Sequence, residues 1–334
     1  MSSVKRIRYF INNSNINKFR FHFQIVAFTL FVYGGFFYIT TSERLPTFAC
    51  PFNEGSAGTC YIMPLQHQVH TIWSEFISMG WFHLLTGFLS FLGLFILFNK
   101  AWCGYICPIG TIQDWMTKIR KRLHIRFSIY NETTFNRLKK IKYALLFLII
   151  IIPLGATNSL MGLPQFSHDI FPPFCKICPG RTLLPIFTGD ISQFYIDFST
   201  KTAMIMTALG MIVTGVFFVG SFVKKRFFCL FCPMSALLYI LSKAAILRLN
   251  KKGEKCTKCG NCYRVCEVGI KEIADDIINR NIVKDDCMMC FKCVGACPEE
   301  GCLEVSFLNM PIFISTEEGF FKRYGLTPKQ RAGV

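Results

Sequence analysis

Cys256-Thr-Lys-Cys259-Gly-Asn-Cys262-Tyr-Arg-Val-Cys266 and, 31 residues further on, Cys287-Met-Met-Cys290-Phe-Lys-Cys293-Val-Gly-Ala-Cys297-Pro298 share one spacing, C-x-x-C-x-x-C-x-x-x-C. That spacing holds [4Fe-4S] clusters in pairs: three thiolates wrap one cube in a tight loop and the fourth reaches across to the other. Cys256, Cys259, Cys262 and Cys297 are therefore expected at cluster 1, and Cys287, Cys290, Cys293 and Cys266 at cluster 2. Gly260, Asn261 and Gly295 suit loops whose N–H groups must turn toward sulfide. Glu267 stands where a proline usually follows the fourth Cys, which perturbs the loop without removing a ligand. Zinc would ask for paired C-x-x-C units with longer gaps between them. Cys302 fits neither pattern and reads as a packed free thiol.

Outward from these runs the chain changes character. Of its 334 residues, 52% are hydrophobic, 17% are charged and 36 are Phe. Phe21 to Ile39, Trp81 to Phe98, Tyr143 to Leu163 and Thr202 to Val223 are each apolar over about the 20 residues a helix needs to cross roughly 30 Å of hydrocarbon. The 37 Lys and Arg outnumber the 20 Asp and Glu, and they gather before the first stretch, between the second and third, and after the fourth. A charge excess placed at membrane ends orients a membrane protein and puts both termini in the cytoplasm. Nucleic-acid binding is set aside, because no recognition motif accompanies the charge. A cleaved leader is not expected, since the first apolar run is too long for one.

The halves of the apolar region repeat. Each reads as a helix going out, an exterior loop with two cysteines, a helix coming in, a cysteine pair with proline, and a basic amphipathic stretch (Gly110 to Phe127, then Met234 to Leu249) expected to lie in the inner interface. Cys103, Cys107, Cys229 and Cys232 fall at the inner ends, where thiols stay reduced. They are candidates for a third cluster, with Lys100 and Arg226 offsetting its charge. Cys50, Cys60, Cys175 and Cys178 fall outside, where a fourth cluster, disulfides and copper all stay open. One member of each pair precedes a proline: Cys50, Cys107, Cys178 and Cys232.

Trp102-Cys103-Gly104-Tyr105-Ile106-Cys107-Pro108-Ile109-Gly110, a second membrane-end Cys-Pro motif and the C-terminal double-cluster run together resemble the membrane polyferredoxins of the NapH, NosR and CcoG group. The resemblance is loose from Phe82 onward and close over Lys255 to Val305. It implies single-electron traffic between cytoplasmic or quinone donors and an exported or membrane redox partner. The alternative it carries is a copper-handling assembly factor.

The expected architecture is an α-helical membrane protein of the cytoplasmic membrane, with four transmembrane helices in two pseudo-repeated hairpins and a small α+β two-cluster ferredoxin-like domain. Residues 1–20 form a basic cytoplasmic segment, 21–250 the membrane domain, 251–310 the ferredoxin domain and 311–334 a tail. The iron is held through cysteines alone and no catalytic residue is identified. Partners are redox proteins and the bilayer. His22 and His83 lie toward opposite ends of their helices and cannot share a haem. His67-x-x-His70 could take copper at the surface, and Glu75, Trp81 and His83 could accept protons from a quinol.

Overall fold

The computed structural model describes residues 15–39, 49–63, 66, 81–125, 132–157 and 173–324. His67, His70, Glu75, His168 and the first fourteen residues lie outside them. In chain order the helices are α1 (Ile16–Tyr33), α2 (Trp81–Phe98), α3 (Ala101–Tyr105), α4 (Pro108–Arg122), α5 (Glu132–Thr157), α6 (Pro173–Ile177), α7 (Pro179–Phe187), α8 (Lys201–Val223) and α9 (Pro233–Leu241). Then come β1 (Arg248–Lys251), α10 (Asn261–Arg264), α11 (Glu272–Asp275), α12 (Lys292–Gly295), β2 (Leu303–Phe307), β3 (Met310–Ile314) and α13 (Glu317–Tyr324).

The chain divides into two compact units, one of Met1–Gln24, Phe95–Tyr105 and Leu238–Val334, the other of Ile25–Leu94 and Ile106–Leu237. In the first, β1, β2 and β3 form an antiparallel sheet in that order, with Leu249 opposite Val305 and a bulge between Val305 and Ser306. Leu249, Ile270, Ile273, Ile282, Val294 and Leu303 are almost wholly buried beneath it. The fold continues past residue 310 through β3 and α13, where Arg323 donates to the Gly295 carbonyl at 3.2 Å. The expected amphipathic stretch Met234 to Leu249 is corrected here. Its helix stops at Leu241, a 3₁₀ turn covers Ser242–Ala244, and Arg248–Lys251 is strand because its backbone groups pair with residues 303–306.

In the second unit α8 is built inside out. Ala203, Thr207, Gly210, Thr214, Phe217 and Ser221, spaced by threes and fours, form its buried face. Ile205, Ile212 and Val219 are exposed by 60% or more. The Thr207 and Thr214 hydroxyls donate to carbonyls one turn back, so the inward face, small-residued apart from Phe217, satisfies these hydroxyls within the helix. Small residues inward and aliphatics outward is what helix packing in lipid selects, because hydrocarbon solvates Ile and Val and close approach needs small side chains. Thr200 caps the helix by accepting from Ala203 N–H. Among the described residues α8 is the one helix long and apolar enough to cross a membrane, and Leu85–Phe98 is a shorter apolar helix.

Two expected spans have shifted limits. α1 begins at Ile16 and gives way to a 3₁₀ turn at Gly34–Phe37, where a Cβ on Gly34 would sit 2.7 Å from the Ala57 Cβ. α5 begins eleven residues earlier than the apolar stretch it carries.

α4 buries a polar face, while Lys118, Lys121 and Arg122 stay exposed. Gln113, Asp114, Thr117 and Arg120 are buried, while Ile119 and Leu123 are more than half exposed. The buried face meets Arg226, whose guanidinium takes both Asp114 carboxylate oxygens, at 2.9 and 2.6 Å. Arg226 holds left-handed backbone (φ 51°) just before the 3₁₀ turn Phe227–Leu230 that carries Cys229. A buried bidentate pair is costly to break from one side only. Arg226→Met is expected to destabilise the protein by about 3–5 kcal/mol, and Asp114→Leu/Arg226→Met to recover most of that loss, measured by urea unfolding of the purified protein. Equal losses in the single and double variants would show that the pair is not the cause.

Candidate iron-sulfur centres

The two ferredoxin-type runs fold alike. Lys258 and Gly260 in the first loop, and Met289 and Phe291 at the same offsets in the second, all adopt left-handed backbone. Such reversals turn consecutive N–H groups to one side and form an anion-binding concavity. Met289 N–H lies 3.4 Å from the Cys287 sulfur and Ile270 N–H 3.5 Å from that of Cys266. The equivalent of Gly260 is thus Phe291 and not a glycine. Gly295 sits in a different role from the one expected of it, packed in α12 against Ile16 and Arg323.

Each loop closes a recess. One, of about 340 Å³, is lined by Cys256, Cys259, Cys262 and Cys297; the other, of about 330 Å³, by Cys287, Cys290, Cys293 and Cys266. The last cysteine of each run therefore lines the recess of the opposite run. Burial pushes the Cys287 thiol up to about 12, opposed by the Met289 N–H, and the Cys262 thiol up to about 11, opposed by Lys251 and the Tyr263 N–H. Bare thiols are the stable form in such surroundings, and metal ligation is what would hold them as thiolates. Cys302 lines the first recess and hydrogen-bonds Cys297, holding that thiol down to about 7.

Several residues serve these recesses without a motif to announce them. Lys251, buried in β1, donates to the Ile273 and Ala274 carbonyls and lies at the first recess. Glu267 is buried and ion-paired with Lys292, which accounts for the residue found in place of proline. Lys100, expected beside the inner cysteines, donates to the Asp285 carbonyl and places its charge near Cys287. Tyr105 is buried with its hydroxyl 3.3 Å from the Cys290 carbonyl. Gly104 comes closest of all: a Cβ there would lie 2.5 Å from the Met288 carbonyl oxygen. Its own carbonyl accepts from Arg20 at 2.9 Å and from Gln24 at 3.1 Å. α3, with Cys103, is thereby pinned to the second cysteine loop.

In the second unit Cys107 is the N-cap of α4 with Pro108 at its first position, and Cys178 has the same place on α7 with Pro179. Proline suits that position, where its missing N–H would have had no helical partner. The helix N-terminus offers its positive end to the sulfur. Cys229 receives the Gln113 amide at 3.8 Å and an Arg226 N–H at 4.0 Å. Burial works against the Arg226 charge, but Asp114 and then the Cys229 and Cys107 sulfurs outweigh it and raise the guanidinium above its ordinary value. Cys103 belongs to the first unit and Cys107, Cys229 and Cys232 to the second. Cys50, Cys60, Cys175 and Cys178 are free cysteines.

Comparison with known proteins bears on these centres directly. The description "4Fe-4S binding domain" matches residues 81–126 and again 206–253, one copy in each half, and "4Fe-4S dicluster domain" matches 248–298. An uncharacterized protein of Methanocaldococcus jannaschii is 25% identical over 62% of this chain and 72% of its own length. YccM of Escherichia coli is 24% identical over 65% of this chain and 54% of its own. The ferredoxin-type protein NapH of Escherichia coli is 25% identical over 65% of this chain and 66% of its own. The alignments thus span only part of these relatives. No solved structure matches the chain. With 4Fe-4S sequences matched on both sides of residue 250, the chain resembles the ferredoxin-type proteins of the NapH and NosR group and carries their iron–sulfur binding sequences.

Proposed function

We propose that the chain is a four-span protein of the cytoplasmic membrane that carries single electrons between a cytoplasmic or quinone donor and an exported or membrane redox partner. Cys256, Cys259, Cys262 and Cys297 hold one [4Fe-4S] cluster, and Cys287, Cys290, Cys293 and Cys266 hold a second. The pairs Cys103/Cys107 and Cys229/Cys232 hold a third. The clusters supply one-electron exchange, and the protein sets their potential through burial and hydrogen bonds to sulfur.

The observation that carries this reading is the docking of α3 on the second cysteine loop. Gly104 brings the backbone beside Cys103 against Met288, and Tyr105 bonds the Cys290 carbonyl. A soluble electron store has no need of such a seam with a segment that carries its own Cys-Pro motif. The inside-out face of α8 and the exposed Phe19, Phe23 and Val26 of α1 support the membrane placement. So does the excess of Lys and Arg at the ends assigned to the cytoplasm. An inside-negative potential favours outward electron movement by about 2.3 kcal/mol per electron for each 100 mV.

Two variants test this. Gly104→Val inserts a side chain where the Met288 oxygen stands and is expected to weaken the docking by about 1–3 kcal/mol. Both ferredoxin-type clusters should still load, while freeze-quench electron paramagnetic resonance should show the remaining iron reduced more slowly by a ferredoxin-reactive donor. Unchanged rates would remove the seam from the electron path. In Cys266→Ser, spectroscopy should show damage to the cluster of Cys287, Cys290 and Cys293 with its neighbour in sequence intact. Damage to the cluster of Cys256, Cys259 and Cys262 alone would overturn the crossed ligation.

A further inference from the structure

Cys50, Cys60, Cys175 and Cys178 lie outside every 4Fe-4S match, yet the second unit gathers them into one group. All six pairs among the four sulfurs are close enough to feel one another's charge. The same holds for the six pairs among Cys266, Cys287, Cys290 and Cys293. Among the described residues no three Cys, His, Asp or Glu groups converge as ligands of a single ion do.

Each of the four sulfurs has an N–H donor. Phe52, Ile62 and Gly180 offer their backbone N–H to Cys50, Cys60 and Cys178, each from two residues ahead, as Met289 does for Cys287. Cys175 receives the Gln66 side-chain amide at 3.2 Å instead. Gln66 is fully buried, and its oxygen accepts from the Phe174 N–H at 3.1 Å. This clip occurs twice in the unit. Gln113 gives its amide to Cys229 and accepts from the Phe228 N–H at 3.0 Å. The sequences agree as well: Phe174-Cys175-Lys-Ile-Cys178-Pro179 has the spacing of Phe228-Cys229-Leu-Phe-Cys232-Pro233, which lies inside a 4Fe-4S match. A neutral thiol or a disulfide sulfur is a weak acceptor and does not call for four aimed donors; a thiolate bound to iron does.

The surroundings are built to the same end. The N-terminus of α7 points at Cys178, with Arg181 in its first turn near Cys50 and stacked on Phe52 at 5.1 Å. Gly210 lets α8 reach the Cys175–Cys178 turn, since a Cβ there would lie 2.7 Å from the Lys176 carbonyl oxygen. We propose that Cys50, Cys60, Cys175 and Cys178 bind a cubane iron–sulfur cluster, a counterpart of the inner one, with Gln66 as its positioning residue. Its place on the outer face rests on the topology proposed above; the binding itself rests on these residues alone. An electron leaving the inner centre would then have a station near the far side of a roughly 30 Å barrier.

The test is iron and acid-labile sulfide in the full chain purified without oxygen, for the native protein, Cys60→Ser/Cys175→Ser and, as a separate control, Cys256→Ser. The native protein should hold about 16 irons, and the double variant should lose about a quarter of them while the reduced ferredoxin-type signals persist. Gln66→Leu should alter the signal of the outer cluster alone. Unchanged iron in the double variant, or a Cys50 to Cys60 or Cys175 to Cys178 disulfide found by mass spectrometry of the alkylated native protein, would overturn the proposal. The disulfide map decides the matter even if the variants fail to fold. Retention of all iron in Cys256→Ser would instead count against the ferredoxin-type ligands and leave the outer site standing.

Discussion

A sulfur that binds iron brings negative charge into surroundings that solvate charge poorly, and that charge must be met by N–H donors and cations fixed nearby. Much of the structure follows from this requirement. Left-handed residues at matching offsets in the two C-terminal loops turn N–H groups inward. Lys251 and Lys100 are buried next to sulfur although buried lysine is expensive. Arg226 is held in strained backbone by a bidentate carboxylate while it faces Cys229. Helices α4 and α7 each begin on a cysteine, Cys107 and Cys178, which sits at the helix's positive end.

The second constraint is the polar face that two helices turn inward. In α8 the hydroxyls turn inward and Ile205, Ile212 and Val219 outward, and in α4 Gln113, Asp114, Thr117 and Arg120 turn inward. Polar groups so placed must all find partners, and the partners they find are the chemistry of the centres. Gln113 ties Ser221, Phe228 N–H and Cys229 together. Thr214 reaches Thr182 on α7. Packing and the surroundings of Cys229 are in this sense one problem, because a buried amide of α4 meets that sulfur.

Glycine serves both constraints at close approaches. At Gly104 and Gly210 the neighbouring atom is a backbone carbonyl oxygen of a cysteine-bearing segment, closer than any side chain allows. Neither position has positive φ, so the need is for space and not for conformational freedom. Each glycine sets how near a structural element comes to a group of cysteines.

Spacing alone determined the two C-terminal cysteine runs, because a cube held in a short loop admits few ligand offsets. The Cys-Pro pairs were legible for the same reason: proline at the first position of a helix is a local preference that needs no tertiary partner. Charge placement and long apolar stretches gave the expectation of a membrane domain without reference to the fold. Only the tertiary structure could assign Lys100 to Cys287, pair Glu267 with Lys292 and Asp114 with Arg226, or bring Gln66 to Cys175, since each joins residues whose separation along the chain carries no signal. The helical reading of residues 242–249 failed on similar grounds. Strand there depends on hydrogen bonds offered by residues 303–306, some fifty positions away. Local sequence fixes which atoms can ligate and which backbone shapes are cheap, whereas the field around a buried sulfur is a sum over distant groups and exists only once the chain has folded.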